Sequence, residues 1–464
     1  MNRRRKTIGA IVLAGLLILW GRPVLPTDTT KDLLKRLEIL SAIIQEQQKE
    51  VERLKQELMN QRKSLEKGQA AQQEEIQRAV KAEIKEAEKT WREGFPKWVQ
   101  TIKLSGDLRL RYERIWDRGI LNQEGMLEKQ DPRDRGRIRF RPVLDAPITD
   151  EIDTHFMIST NMSTHQEATT SNATLGEDFN DKGIYLARAY AEYKPNWLKG
   201  LEIGAGKFKK NFYHTDIMWD VDVNPEGVYE FYGYKGFKFF EPFIYLSQMV
   251  VNENNLTPDA MLYLSQAGFQ WNTGPFTWTL AGSYYRWSNL AGTKWLGPGQ
   301  YNLGGGNTFV CDSAGQIAYK YDYKLWEGIS FINFNMGPFP VVLSFDYVHN
   351  AAAGVPANED SAYYASFKIG RDRDKGDYSL FYKYAYIEQN AVIGSLNDQD
   401  FFGANRKGNK LEIHYWPFKN TLMRAAFFYT DPVSLWKKEG NPLWDADRYK
   451  MHEDRLQMDF IFSF

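Results

Sequence analysis

Six arginines at alternate positions in two nearby segments are the strongest chemical signal in this sequence. They are Arg109, Arg111, Arg135, Arg137, Arg139 and Arg141. Alternate residues of a β-strand lie on one face, so two such strands paired side by side would gather the six guanidinium groups into one cationic patch. Positive charge concentrated in this way attracts anions, and charged side chains that line a narrow passage set the ion preference of a channel.

The resulting hypothesis is a pore-lining set in which acidic side chains balance part of the arginine charge. Its members are the six arginines with Asp107, Glu113 and Asp346. In a membrane barrel, a lipid-facing position would cost about 2–4 kcal/mol per arginine at the bilayer midplane, so the patch must face an interior or a protein interface. The alternative is a wall braced by salt bridges with no role in selectivity. Alternation gives weaker inward candidates at Arg188, Glu192, Lys383, Glu412, His414 and Arg424.

A second constellation lies at Asp220, Asp222 and Asn224, whose acid–x–acid–x–Asn spacing resembles the start of a calcium loop. Pro225 stands at the sixth position, where the helix–loop–helix pattern requires glycine, and no glutamate stands at the twelfth. Three interpretations remain open: a calcium loop of another type, an inward-folded constriction loop, and a turn with a polar surface. The last is favoured.

Other kinds of chemistry have no motif in this sequence. It contains no nucleophile elbow, no phosphate-binding P-loop and no His-Glu-x-x-His pair. A single cysteine, Cys311, excludes an intrachain disulfide and a multi-cysteine metal site. Lys+Arg and Asp+Glu both number 59, so no bulk charge favours nucleic acid. We expect no enzyme, no cofactor, no metal and no nucleic-acid partner.

The elements that position the arginines follow a hydrophobic period of two from residue 100 to the end of the chain. Sixteen strands are predicted near 102–113, 135–142, 151–159, 184–195, 200–208, 228–235, 242–250, 261–271, 276–287, 326–335, 339–349, 361–371, 376–388, 408–418, 421–431 and 454–464. Long loops, such as 114–134, 160–183 and 209–227, alternate with short turns, and aromatic residues make up 15% of the chain. This pattern predicts a transmembrane antiparallel β-barrel of about sixteen strands over residues 100–464.

The last strand, Leu456–Phe464, has apolar side chains at every even position and mostly polar ones at the odd positions. Its terminal aromatic residue resembles the signal that the outer-membrane assembly machinery reads. A barrel must close, so this strand is predicted to pair with the first one, which makes Phe464 and Ile102 members of neighbouring strands.

The residues before the barrel predict export and a helical arm. Residues 1–26 have a basic start followed by an apolar run, as a signal peptide does; an uncleaved inner-membrane anchor is the alternative. Residues 31–93 are predicted to be helical, up to the break at Gly94 and Pro96. Residues 33–65 place Leu, Ile, Val and Gln at alternating steps of three and four, Gly68 interrupts this pattern, and a weaker stripe follows over 76–91. The seam predicts a periplasmic coiled coil over 31–93. One amphipathic helix folded onto the barrel or the membrane is the other interpretation.

Several stretches of the barrel region carry a family resemblance. They are GDLRLRYE at 106–113, RGRIRFR at 135–141, WDVDVNPEG at 219–227, DKGDYSLFYKYAY at 374–386, AVIGSLNDQDF at 391–401 and the closing aromatic strand. Together they resemble the bacterial "putative porin" family of outer-membrane barrels, several members of which also carry a signal and a coiled coil. The resemblance implies a trimeric general porin for small hydrophilic solutes.

Three functions are consistent with these patterns. The favoured one is a passive porin in the bacterial outer membrane, in contact with outer-membrane lipid and with a periplasmic N-terminal arm. The second is a structural tether whose coiled coil links the barrel to peptidoglycan or to the inner membrane. The third is a secreted β-rich glycan-binding protein, which does not explain the all-apolar face of so many strands.

Overall fold

The structure, a computed structural model, describes residues 27–93, 101–121, 127–128, 131–161, 167–176, 178–255, 258–293, 303–311, 317–401, 403–434 and 449–464. The predicted signal peptide at 1–26 lies outside these residues. The chain divides into two compact units, Met1–Phe95 and Pro96–Phe464.

The first unit contains one long helix, α1, Thr27–Glu93. It ends where the sequence predicts, before Gly94 and Pro96, and it continues through Gly68. Val51, Leu54 and Leu58 of the predicted coiled-coil seam are exposed along it. The helix itself is therefore observed, whereas its association into a coiled coil stays a prediction. No helix among the described residues combines the length and hydropathy that crossing a membrane would require.

The second unit is a barrel of sixteen long strands among the described residues. They are β1 Lys103–Leu121, β2 Arg133–Pro147, β3 Ile152–Thr160, β4 Ile184–Tyr193, β5 Leu201–Lys207, β6 Glu226–Gly233, β7 Phe240–Asn252, β8 Ala260–Asn272, β9 Phe276–Ser288, β10 Lys324–Met336, β11 Phe339–Asn350, β12 Ser361–Gly370, β13 Tyr378–Ile387, β14 Arg406–Phe418, β15 Thr421–Pro432 and β16 Tyr449–Ser463. Each strand pairs antiparallel with the next, and β16 pairs with β1, so the sheet is closed. The predicted strand number is confirmed.

Short elements complete the described part of this unit. Two-residue strands lie at Leu127–Glu128 and Ala173–Thr174, and a small hairpin joins Phe309–Cys311 to Ile317–Tyr319. Single turns of 3₁₀-helix lie at Leu303–Gly306 and Gln399–Phe401. The predicted loop 114–134 is wrong in its first part, because β1 continues to Leu121 by pairing with β16, with a shift of register at Gly119.

The two faces of the strands differ as the period of two predicts. On β1, Leu104 and Leu110 are 68% and 47% exposed on the outer face, whereas Arg111 is 4% exposed inside. On β16, Phe460 lies on the outer face and Asp459 is buried. The barrel therefore has an apolar exterior and a charged interior, which is the inverse of a soluble domain.

Connections also differ between the two ends of the barrel. At one end the strands are joined by short turns, for example Lys419–Asn420, where Asn420 adopts a φ of 59°. At the other end the connections are long. Residues 208–225 between β5 and β6, hereafter inner loop 1, enter the interior, and so do the described residues of 388–405 between β13 and β14, hereafter inner loop 2.

Closure of the barrel brings the chain end onto a glycine of β1. Phe464 and Gly106 exchange two backbone hydrogen bonds of 3.0 and 3.1 Å. The Phe464 ring covers Gly106 and stacks on Phe140 of β2, with ring centroids 6.3 Å apart. The predicted pairing of the first and last strands is confirmed. Phe464 pairs with Gly106, which lies four residues farther along β1 than Ile102.

Gly106→Ala should destabilise this seam. The added Cβ would lie 2.4 Å from the carbonyl oxygen of Arg141 and 2.6 Å from Cζ of Phe464. Overpacking of this kind costs about 1–3 kcal/mol, so we expect the folded band in heat-modifiable gel electrophoresis to be lost at a lower temperature. Gly328→Ala on β10 is the matched control, because nothing lies within 4 Å of its Cβ position. Equal transition temperatures for the two variants would contradict the packing argument.

Candidate functional site

The six arginines come together on the inner faces of β1 and β2. The register places Arg109 opposite Arg139, Arg111 opposite Arg137, and Glu113 opposite Arg135. Arg109, Arg111, Arg137 and Arg139 are buried inside the barrel, and Arg135 and Arg141 are half-buried. We call these six residues the arginine strip; its adjacency follows the spacing in the sequence.

Carboxylates of the barrel wall pair with part of the strip. Asp107 accepts hydrogen bonds from Arg139 at 2.8 Å and from Arg141 at 2.7 Å. Glu113 pairs with Arg135. These contacts match two of the counter-charges that the sequence suggested.

The closing strand contributes charges that the sequence reasoning missed. Asp459 accepts two hydrogen bonds from Arg111, at 2.7 and 3.0 Å, and also pairs with Arg424. Arg455 lies on the same inner face and is buried. The odd positions of β16 were recognised as its polar face, and the pairing of β16 with β1 was predicted, so these two signals together could have located Asp459.

Asp346 is wrong as a counter-charge for the strip. It lies on β11, and its Oδ2 accepts a hydrogen bond of 2.5 Å from the Thr215 hydroxyl of inner loop 1. Among the described residues no ion pair joins it to an arginine. Period-two alternation correctly placed its side chain inside the barrel but carries no information about which wall it occupies.

Inner loop 1 lies inside the barrel, where its apolar side chains are buried. Phe212, Ile217 and Trp219 are buried in one cluster with inward aromatic residues of the barrel wall, including Tyr245 and Tyr285. Burial of aromatic surface on this scale stabilises an inward conformation. The favoured interpretation of this region, a turn with a polar surface, is therefore wrong, and the constriction-loop alternative agrees with the structure.

Inner loop 2 packs into the same cluster and joins inner loop 1. Val392, Ile393 and Phe401 are buried there. Two backbone hydrogen bonds connect the loops, from Asp398 N to Asp216 O at 3.0 Å and from Asp220 N to Leu396 O at 2.8 Å. The two loops thus form one unit within the barrel.

A single lysine of the wall fixes both loops. Lys383 on β13 is fully buried, and its Nζ lies 2.6 Å from Asp216 Oδ2 and 3.0 Å from Asp398 Oδ2. The Lys383 Nζ also lies 4.6 Å from the centre of the Phe401 ring. One ammonium group therefore neutralises an acid from each inner loop.

A third segment, which contains Asn307, is joined to inner loop 2 by hydrogen bonds. Asn307 donates hydrogen bonds of 2.7 Å to the carbonyl oxygens of Gln389 and Val392, and accepts one of 2.7 Å from Gly394 N. Gly394 permits this close approach, because a Cβ there would lie 2.0 Å from the carbonyl oxygen of Gly305.

The joined loops present acids to the arginine strip. Asp222 of inner loop 1 lies 2.9 Å from Arg141, and Asp400 of inner loop 2 lies 3.2 Å from Arg111 and 2.5 Å from Arg455. Burial raises the pKa of Asp222, but the guanidinium groups of Arg139 and Arg141 outweigh that effect and lower it to about 2. Asp222 is therefore ionised at neutral pH, and the acidic side chains of both loops form direct ion pairs with the basic wall inside the barrel.

The calcium-loop interpretation does not fit this geometry. The Asp222 carboxylate is occupied by Arg141 and by the Ser171 hydroxyl at 2.9 Å. Lys210 Nζ donates to the carbonyl oxygens of Asp220, at 2.9 Å, and of Val223. An ammonium group thus already takes the backbone oxygens that a calcium ion would need.

Among the described residues, one cluster of acidic and histidine side chains has the spacing of metal ligands. It lies on β3 and β4, near the end of the barrel that has the short turns. Ligand atoms of Asp153, His155 and Glu192 lie within 4.8 Å of one another. Lys194 Nζ already contacts Asp153 at 3.1 Å and Glu192 at 2.7 Å. Because this lysine supplies the positive charge, the group is a salt-bridge cluster.

Solved outer-membrane proteins resemble the barrel at low identity. OprB of Pseudomonas putida matches with a TM-score of 0.48 and 11% identity, covering 78% of this chain and 94% of that one. A loop-deletion form of OmpT from Vibrio cholerae matches with a TM-score of 0.46 and 12% identity, covering 78% and 99%. DcaP of Acinetobacter baumannii matches with a TM-score of 0.42 and 14% identity, covering 78% and 97%. Such distant likeness carries no argument about solutes.

Comparison at the level of sequence is more informative. No curated protein matches this chain. A family model described as "Putative porin" matches residues 67–301, just over half of the chain, from within α1 to beyond β9. The matched residues include the arginine strip and inner loop 1. On this evidence the chain belongs to the putative porin family.

Proposed function

We propose that this protein is a passive porin: a water-filled outer-membrane channel for small hydrophilic solutes and ions, lined on one side by the arginine strip. Membership of a porin family and a closed barrel of sixteen strands support the coarser statement, an outer-membrane channel. The observation that carries the finer one is the meeting of inner-loop acids with the strip inside the barrel.

Anion preference is the expected selectivity. The strip places six guanidinium groups on two adjacent strands. Among the described residues five carboxylates pair with it, those of Asp107, Glu113, Asp222, Asp400 and Asp459. A net positive wall raises the local concentration of anions and lowers that of cations. No catalytic constellation is part of this proposal, so the protein acts by permitting diffusion.

The helical arm supports a further part of the proposal, the oligomeric state. An exposed seam on a helix of 67 residues favours self-association, and three copies of the barrel joined by a coiled coil over residues 31–93 would form a homotrimer. OmpT of Vibrio cholerae is described in a trimer form, and that description belongs to that protein.

We assign Phe464 to recognition by the assembly machinery, because it lies where the first and last strands of the barrel pair.

A tether role is the second candidate, and the length of α1 favours it. At about 1.5 Å per residue the helix reaches roughly 100 Å, enough to extend far into the periplasm toward peptidoglycan or the inner membrane. A porin and a tether are compatible functions of one chain.

Planar-bilayer recording of the purified full-length protein tests the proposal. A porin should give open channels of steady conductance, with a reversal potential in a salt gradient that shows anion preference. Absence of conductance together with firm binding to isolated peptidoglycan would instead favour the tether. Extraction from membranes by high salt without detergent would overturn both membrane functions.

A further inference from the structure

Charge pairing within the arginine strip is uneven. Arg111, Arg135, Arg139 and Arg141 each pair with at least one carboxylate. Arg109 and Arg137 do not: in the part of the chain that the structure describes, no carboxylate oxygen lies within 4.0 Å of either guanidinium. Both are buried, at 6% and 5% exposure. The Nε atom of each has no hydrogen-bond partner among the described residues.

Neutral oxygens of one loop segment are the only described polar contacts of this pair. Arg109 Nη2 donates to Asn172 Oδ1 at 2.5 Å. Arg137 Nη2 donates to Thr170 Oγ1 at 3.3 Å and to the Asn172 carbonyl oxygen at 3.5 Å. Thr170 and Asn172 are themselves buried, and Ser171 between them is held by Asp222. The two guanidinium groups therefore converge on one short segment between β3 and β4.

The pair is also close across the sheet. Arg109 lies opposite Arg139 and Arg111 opposite Arg137, so Arg109 and Arg137 are diagonal neighbours on one face. Side chains at diagonal positions lie about 7–8 Å apart at Cβ, within reach of one small ligand. Two neighbouring buried guanidinium groups thus have N–H donors that no described residue uses.

This arrangement favours a further anion on physical grounds, because carboxylates that stand beyond contact distance neutralise a buried guanidinium less completely than a direct partner does. A buried charge without a partner costs several kcal/mol, and an arginine does not lose its proton to escape that cost. Two such charges side by side repel each other as well. An anion between them would remove both penalties, and the planar forks of guanidinium match carboxylate and phosphate oxygens.

We propose that Arg109 and Arg137 form a saturable binding site for an oxyanion, the carboxylate or phosphate group of a permeating solute. The segment Thr170–Asn172 borders the site. This inference rests on the proposed channel function and deepens it, because it names the chemical class of solute that the strip selects. General attraction by a positive wall does not distinguish chloride from an oxyanion, whereas a two-arginine fork does.

Isothermal titration calorimetry of the full-length protein in detergent tests the site without requiring conductance. The probes are inorganic phosphate, acetate and chloride at constant ionic strength. We expect saturable binding of phosphate or acetate and weaker binding of chloride. Arg109→Lys and Arg137→Lys keep the charge but lose the fork, so each should weaken oxyanion binding about tenfold. Arg371→Lys, at an exposed arginine in the turn after β12, is the matched control.

Several outcomes would overturn the site. They are absence of saturable binding, equal affinity for chloride and the oxyanions, and lysine variants that bind as the unaltered protein does. Arg109→Gln removes a buried charge that no described carboxylate contacts within 4.0 Å, so it should fold normally and lose binding, which covers the case of misfolded lysine variants. Oxyanion binding by a protein that does not conduct would support the site and count against the channel. Conductance without binding would support the channel and count against the site.

Discussion

Lys383→Met should release the inner loops and raise the single-channel conductance. The ammonium group of Lys383 is the described cation that pairs with both Asp216 and Asp398, and it is fully buried. Its removal leaves two half-buried carboxylates without that partner, and the loss should approach the cost of about 3–5 kcal/mol for a broken buried pair because the lysine itself is fully buried. The two acids then repel each other, and the joined loops lose their attachment to β13. Planar-bilayer recording measures the change, with larger and noisier channels as the expected result.

A matched control separates loop release from general damage. Lys368→Met, on the neighbouring β12, removes a lysine that pairs with Asp372 near the turn end of the barrel. Lys368 is partly exposed, so its pair should contribute at most about 1 kcal/mol and its loss should leave conductance unchanged. If Lys383→Met conducts like the unaltered protein while retaining heat-modifiable gel mobility, the loops do not narrow the path of the ions.

Replacing Arg137, Arg139 and Arg141 together by serine should lower the preference for anions. Each lost charge changes the energy of an ion about 8 Å away by about 0.5 kcal/mol even at the dielectric constant of water. The energies of an anion and a cation change in opposite directions and salt roughly halves each change, so the permeability ratio changes by roughly a factor of two per charge and should fall about eightfold for three. Asp107 and Asp222 also lose their arginine partners and add negative charge. Reversal potentials in a salt gradient provide the measurement.

The control for this variant is a triple substitution outside the barrel interior. Arg371, Lys375 and Lys419 are exposed cations in the short turns, and their replacement by serine changes the net charge by the same amount. It should leave the reversal potential nearly unchanged, because exposed charges are screened within about 10 Å. Equal shifts for the two triple variants would mean that net charge alone, and not the arginine strip, sets the preference.

Local patterns in the sequence were sufficient to predict the wall of the barrel. A period of two depends only on neighbouring residues, so Leu104 and Arg111 could be assigned to opposite faces without knowing the fold. The same reasoning gave sixteen strands, the adjacency of the strip on β1 and β2, and the closure of β16 on β1. In α1 the pattern located the helix and its apolar seam.

The contents of the barrel depended on the tertiary structure. Inner loop 1 has no periodic pattern, and its acidic positions resembled a polar turn until Phe212 and Trp219 were seen to pack inside. Alternation placed Asp346 on an inner face but could not say that β11 stands apart from the strip.

The ion pairs that organise the interior join residues far apart along the chain. Lys383 lies 167 positions from Asp216, and Arg111 lies 289 positions from Asp400. Whether a carboxylate contacts Arg109 or Arg137 likewise depends on the positions of Asp222 and Asp400 in the folded protein. The sequence by itself thus determined which residues face inward, because that choice is local. Only the tertiary structure decided which of them meet, because loop conformation and closure of the sheet bring distant residues together.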